Sequence, residues 1–164
     1  MKGYKSWKAL KNQLEDLLCE RLRGRVTYFL TRYHEVHNSY GRAAILLDKR
    51  ELARFSWIEM YSQERDMSEL YKQTGKYDGK SLEKKWDEGC TYYEMDFLAA
   101  ALEFIDMRVQ DALKSENSII RIFAVMDKRV GRRTLQSLDE DSFPEWARIF
   151  YRLRLEAENM NSEG

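Results

Sequence analysis

The run Arg21-Leu22-Arg23-Gly24-Arg25-Val26-Thr27-Tyr28-Phe29-Leu30-Thr31-Arg32-Tyr33-His34-Glu35-Val36-His37 changes the period of the chain. Before it, Trp7, Leu10, Leu14, Leu17 and Leu18 recur every three or four positions, the spacing of one helix face, with Ser6 placed to cap it. Within it, alternation takes over. Gly24 is the stop between the two regimes, because glycine enters left-handed geometry cheaply. Val26, Thr27, Tyr28, Phe29, Thr31 and Tyr33 favour a strand over Arg25–His34. One face of that strand carries Val26, Tyr28, Leu30 and Arg32. The other carries Arg25, Thr27, Phe29, Thr31 and Tyr33.

Working downstream, Asn38-Ser39-Tyr40-Gly41 is turn chemistry, and Arg42–Leu47 reads as a second strand. Asp48–Glu51 turns the chain into a third strand, Leu52–Phe55, giving an antiparallel meander. Beyond it the pattern is helical. Ser56 with Glu59, and Thr91 with Glu94, have capping-box spacing. Thr74–Lys80 is loop-like, and Trp86 in the polar stretch after it is a candidate exposed anchor. Met95, Leu98, Leu102, Ile105, Val109 and Leu113 predict one continuous helix, broken by Ser115–Ser118. Ile119, Ile120, Phe123, Met126 and Val130 face inward on the next. Pro144 opens a last helix that buries Trp146, Ile149, Phe150 and Leu153. The expectation is a single α+β domain over residues 1–164: an N-terminal helix, a three-stranded antiparallel meander, then a cluster of four to five helices. The sheet alone would bury too little surface to stand as a separate unit.

Composition narrows the class. The 28 basic and 28 acidic residues cancel, which argues against a wholly basic nucleic-acid binder but permits a local patch. Two cysteines without CxxC spacing, Cys19 and Cys90, read as reduced thiols of a cytoplasmic protein. No stretch approaches 18 apolar residues, so no membrane span is expected. Nucleotide-loop, GxSxG, HExxH and Cys/His zinc patterns are all absent, so no cofactor is implied and the chain leans away from an enzyme.

Three functional readings follow. The first is a non-enzymatic protein-interaction or regulatory accessory module with an unknown protein partner, supported by mixed charge and the lack of catalytic motifs. The second is a nucleic-acid (RNA)-binding module. Arg21, Arg23, Arg25, Arg32 and Arg42 would hold phosphates, Tyr28 and Tyr33 would stack on bases, and His37 would lie on the same surface. The helix–three strands–helix order matches the double-stranded RNA-binding domain, but Trp57-Ile58-Glu59-Met60 stands where that domain carries lysines. The third is a small metal-dependent hydrolase built on His34, His37, Asp48 and Glu51. A second basic cluster, Lys128-Arg129-Val130-Gly131-Arg132-Arg133, reads as cations at a helix C-terminus, and would extend the first if the fold joined them. The apolar helix surface around Phe97, Phe104 and Met107 reads either as a homodimer face or as core covered on two sides.

A wider set of residues carries a resemblance. It comprises Trp7, Leu10-Lys11, Leu14-Glu15, Leu18-Cys19, Gly24-Arg25-Val26, Tyr28-Phe29, Thr31-Arg32-Tyr33, His37, Gly41-Arg42 and Asp48. Further on it takes in Ser115-Glu116-Asn117, Ile119-Ile120-Arg121, Asp127–Leu135 and Phe150–Ala157. In these the chain resembles an uncharacterised family of short bacterial cytosolic proteins. The resemblance spans nearly the whole chain and implies one domain. It carries over no catalytic residue. Where Asp-Gly is expected in the hairpin turn, this chain has Asp48-Lys49.

Overall fold

Helix α1 spans Trp7–Asp16. The Ser6 hydroxyl accepts from the Ala9 N–H at 3.1 Å, and Lys11 pairs with Glu15 one turn on at 2.9 Å. Leu10 and Leu14 are buried, and after the helix Leu18 and Leu22 follow them into the core. Gly24 turns the chain at φ +84°, with open space where a Cβ would stand, so its requirement is conformational. These features come from a computed structural model that describes residues 6–32, 41–56, 92 and 94–160.

Strands β1 (Val26–Arg32), β2 (Gly41–Leu47) and β3 (Arg50–Ser56) form an antiparallel sheet in sequence order. Tyr28 pairs with Ile45, and Ile45 with Ala53; this row faces the core. Phe29 pairs with Ala44 on the outer face, where its ring is 40 % exposed. β3 begins at Arg50, two residues before its expected start. Asp48 and Lys49 both take positive φ, 50° and 71°, and two left-handed residues match the twist of the flanking strands, so pairing resumes at once.

The expected capping box at Ser56–Glu59, the loop at Thr74–Lys80, and Trp86 fall wholly or partly outside the described residues. So do Tyr33, His34, His37 and Cys90.

The predicted continuous helix is two. Helix α2 spans Glu94–Ile105, Arg108 is extended, and α3 takes Val109–Leu113. The break has no Gly or Pro. Both halves pack on the next helix, α4 (Ser118–Val125), which a straight rod would leave behind. The buried stripe of α2 is Phe97, Leu98, Ala100, Ala101 and Phe104, while Met95, Leu102 and Ile105 are half-buried. Phe97 and Phe104 are therefore core covered by the chain itself.

Asn117 caps α4, its side chain accepting from the Ile119 and Ile120 N–H groups at 2.9 and 3.3 Å. Most of this helix is buried. Phe123 sits at its centre with ring centroids 5.4 Å from Tyr28, 5.6 Å from Phe97 and 5.3 Å from Phe104, which ties sheet to helices. Helix α5 (Arg132–Ser137) and two short 3₁₀ turns, Glu140–Ser142 and Glu145–Ala147, lead to α6 (Arg148–Ala157). Pro144 precedes the second turn. Phe150 and Leu153 are buried as expected and Trp146 partly so, but Ile149 is 43 % exposed, one position off the inward stripe. Buried residues from α1, the sheet and α2–α6 make one contiguous cluster.

Candidate functional site

The turn after α1 and the turn after α4 cross. The Lys128 N–H donates to the Leu17 carbonyl at 2.7 Å, and the Cys19 N–H donates to the Met126 carbonyl at 2.9 Å, so Leu18 and Asp127 form an isolated antiparallel bridge. Beneath the crossing lies Arg154 of α6, 3 % exposed. Its guanidinium donates to the carbonyls of Val125 at 3.1 Å, Asp127 at 2.6 Å and Val130 at 2.8 Å. Its Nε donates to Glu158 at 3.0 Å. The end of α4 leaves carbonyls without helical partners, and a buried cation needs acceptors; each solves the other's problem. The Asp127 carboxylate is also buried. It accepts from the Arg129 backbone at 2.8 Å and from the Arg129 guanidinium at 3.0 and 2.7 Å. That hydrogen-bonded contact raises the Arg129 pKa further.

Sequence reading missed Arg154 and Asp127. A signal existed for Arg154, which lies four residues after Phe150 and three before Ala157, on the apolar stripe.

Above Arg154 opens a cleft of 530 Å³. One wall is the turn from Leu18 to Arg23, including Cys19, Glu20 and Arg21. Lys128 forms a second, and Arg154 with Glu158 the third. Arg21 and Arg23 of the first basic cluster thus meet Lys128 of the second, while Arg129, Arg132 and Arg133 do not line the cleft. Cys19 is a free, buried thiol, and burial pushes its pKa up against the opposing pull of Arg154.

Among the described residues expected to form a phosphate-and-base surface, Arg21 and Arg23 come together in this cleft and Arg25, Tyr28 and Arg42 do not line it. Arg21 donates to the Asn159 side-chain oxygen at 3.3 Å, and Arg23 pairs with Asp16 at 3.3 Å. Arg25 grips Asp48 through two bonds of 3.2 and 2.9 Å, which raises its own pKa and holds the Asp48 carboxyl below its usual range. Arg42 lies on the outer sheet face, paired with Glu51 and over the Phe29 ring at 5.5 Å. Tyr28 is corrected from a stacking surface to core. It is 2 % exposed, its hydroxyl pKa driven up by burial, because the alternation that points Arg25 outward points Tyr28 inward beside Val26. Arg32 ends β1. Tyr33 and His37 lie outside the described residues. The carboxylates named for a hydrolase are engaged: Asp48 by Arg25, and Glu51 by Arg42 and by Arg54 at 2.7 Å. Among the described residues no three His, Cys, Asp or Glu side chains are grouped to hold a metal.

A protein-family model matches residues 6–155, from the cap of α1 into α6. The chain belongs to the SF0329 protein family. The family match includes Arg21, Arg23, Lys128 and Arg154, while Glu158 and Asn159 lie just past its end. No curated protein and no solved structure matches the chain.

Proposed function

We propose that this SF0329 family member is a non-enzymatic accessory module of the bacterial cytoplasm that acts by docking a protein partner. One observation carries the reading. Among the arginines of the N-terminal cluster whose side chains are described, Arg23, Arg25 and Arg42 pair with the carboxylates of Asp16, Asp48 and Glu51 and Arg21 donates to the Asn159 amide, so the strand offers no extended row of uncompensated cations. A polyanion binder presents uncompensated cations and free aromatic faces. Here charges alternate in sign and Tyr28 is interior. The outer sheet face offers what protein interfaces use instead, an exposed Phe29 beneath the Arg42 guanidinium with polar groups of both signs at the rim. It suits a partner with an apolar pocket ringed by mixed charge. The free Cys19 thiol supports a reducing compartment, and no helix among the described residues is long and apolar enough to cross a membrane.

The test is a fluorescence-anisotropy titration with labelled RNA and DNA, duplex and single-stranded, at low and physiological salt. No binding at either salt is expected. Binding that weakens steeply with salt and disappears in Arg23→Ala/Arg25→Ala/Arg32→Ala would replace this reading with the nucleic-acid one. A photo-crosslinker at position 29 should then give a single protein adduct that Arg42→Glu abolishes.

A further inference from the structure

We propose that the cleft between the turn after α1 and the turn after α4 binds a small phosphate-bearing anion, held by Arg21, Arg23 and Lys128. The three cations come from opposite ends of the sequence and line one concave space. Their backbones are fixed before any ligand arrives. The two hydrogen bonds of the crossing, at 2.7 and 2.9 Å, set the walls, and Arg154 pins the floor to α6.

The charge is incompletely answered within the chain. Arg21 meets only the neutral amide of Asn159, and Lys128 has no carboxylate partner among the described residues. Arg23 and Asp16 are both exposed at 3.3 Å, a weak pair readily exchanged for a stronger anion. Of the two carboxylates on the walls, Glu158 is committed to Arg154. Glu20 stands exposed, and leaves the three cations in excess.

The class of ligand follows from these donors. Arginine forks and a lysine point charge match the several oxygens and multiple charge of a phosphate or diphosphate, where a single carboxylate would leave cations unanswered. A volume of 530 Å³ is in the range of small-molecule sites, about 300–1,000 Å³. Cys19, with its thiol held protonated by burial, serves as a reporter of occupancy and not as a nucleophile. The site shares no residue with the outer sheet face, but Arg21 and Arg23 also enter the case against a polyanion surface: an oligonucleotide bound here would overturn both readings, whereas a small anion held by three cations leaves the docking reading standing.

The experiment is calorimetric titration of the full chain with pyrophosphate and, separately, ATP, with sulfate and a short oligonucleotide as comparators. In a Cys90→Ser chain the rate of Cys19 modification by a thiol reagent is followed in parallel. Saturable one-to-one binding is expected, with slower Cys19 modification. Kd should rise at least tenfold in Arg21→Gln and in Lys128→Gln, while Lys114→Gln, outside the cleft, leaves it unchanged. Equal affinity for the two ligands would identify the diphosphate alone as the determinant; tighter ATP binding would add the nucleoside. The proposal is overturned by absence of saturable binding, by sulfate binding as tightly, or by binding only of the oligonucleotide. It is also overturned by undiminished affinity in an Arg21→Gln/Lys128→Gln chain that melts like wild type.

Discussion

Arginine meets carboxylate in two settings in this molecule. At the hairpin, Arg25 and Asp48 join in a two-bond fork that is about half exposed on both sides. At the crossing, Arg154 is 3 % exposed and spends most of its donors on backbone carbonyls, with Glu158 as a fourth acceptor. The chemistry is alike and the consequences are not. Water can replace either partner at the hairpin, so the pair contributes little. Removing the Arg154 guanidinium takes from the buried carbonyls of Val125, Asp127 and Val130 the donor that answers all three. Burial, more than the presence of an ion pair, decides which arginine holds the fold.

The largest expected effect comes from removing the buried group. Arg154→Ala should lower unfolding free energy by about 3–5 kcal/mol, since it leaves three buried carbonyls without their donor and empties a buried side-chain site, while Glu158, 29 % exposed, can turn to water. Arg154→Lys keeps the charge but loses the fork, and should recover only part of this. Denaturant unfolding with an unchanged m-value measures both. A loss in Arg154→Ala no larger than that of a surface arginine would erase the contrast between the two settings. Asp127→Ala should fall between them, at about 1–2 kcal/mol. It takes a buried acceptor away, but its partner Arg129 is 41 % exposed and can turn to water.

How much of this was legible follows the same division between local and tertiary causes. The α1 cap at Ser6, the stop at Gly24 and the alternation of β1 are neighbour effects, and they can be read from the residues in order. The split between α2 and α3 is not such an effect. Asp106, Met107 and Arg108 hold no breaker, and the bend exists because both halves pack on α4. Arg21, Arg23 and Lys128 each stood out for charge. Their meeting depends on backbone bonds between Leu17 and Lys128 and between Cys19 and Met126, which leave no trace in side-chain patterns. Tyr28 was legible and misassigned: its residue type suggested stacking, while its place in the alternation put it beside Val26 in the core.

The hairpin allows a smaller change of opposite sign. Lys49 holds φ 71° with a Cβ that left-handed geometry disfavours. Lys49→Gly should stabilise by about 0.5–1 kcal/mol without touching the Arg25–Asp48 fork. A thermal melt resolves it. A loss of stability would mean that the lysine side chain contributes more than its backbone strain removes.

The smallest effect is that of the exposed fork, and pH isolates it. Arg25 holds the Asp48 carboxyl below its ordinary pKa of 3.8 in the folded chain. A carboxylate with a depressed folded pKa adds stability above its unfolded value, and loses it as pH falls through the folded one. The contribution of the fork is therefore full at neutral pH and vanishes only below about pH 4. Asp48→Asn should lower the denaturation midpoint slightly at pH 7, and the gap from wild type should close as the pH drops below that window. Molar salt at pH 7 should close it as well, because exposed pairs are screened. The same salt should leave the penalty of Arg154→Ala nearly intact, because three of its four acceptors are neutral carbonyls whose hydrogen bonds salt does not screen. Asparagine keeps the left-handed turn geometry that aspartate adopts here, so a gap that persists in both acid and salt would show that the substitution does not act through the charge of the Arg25–Asp48 pair.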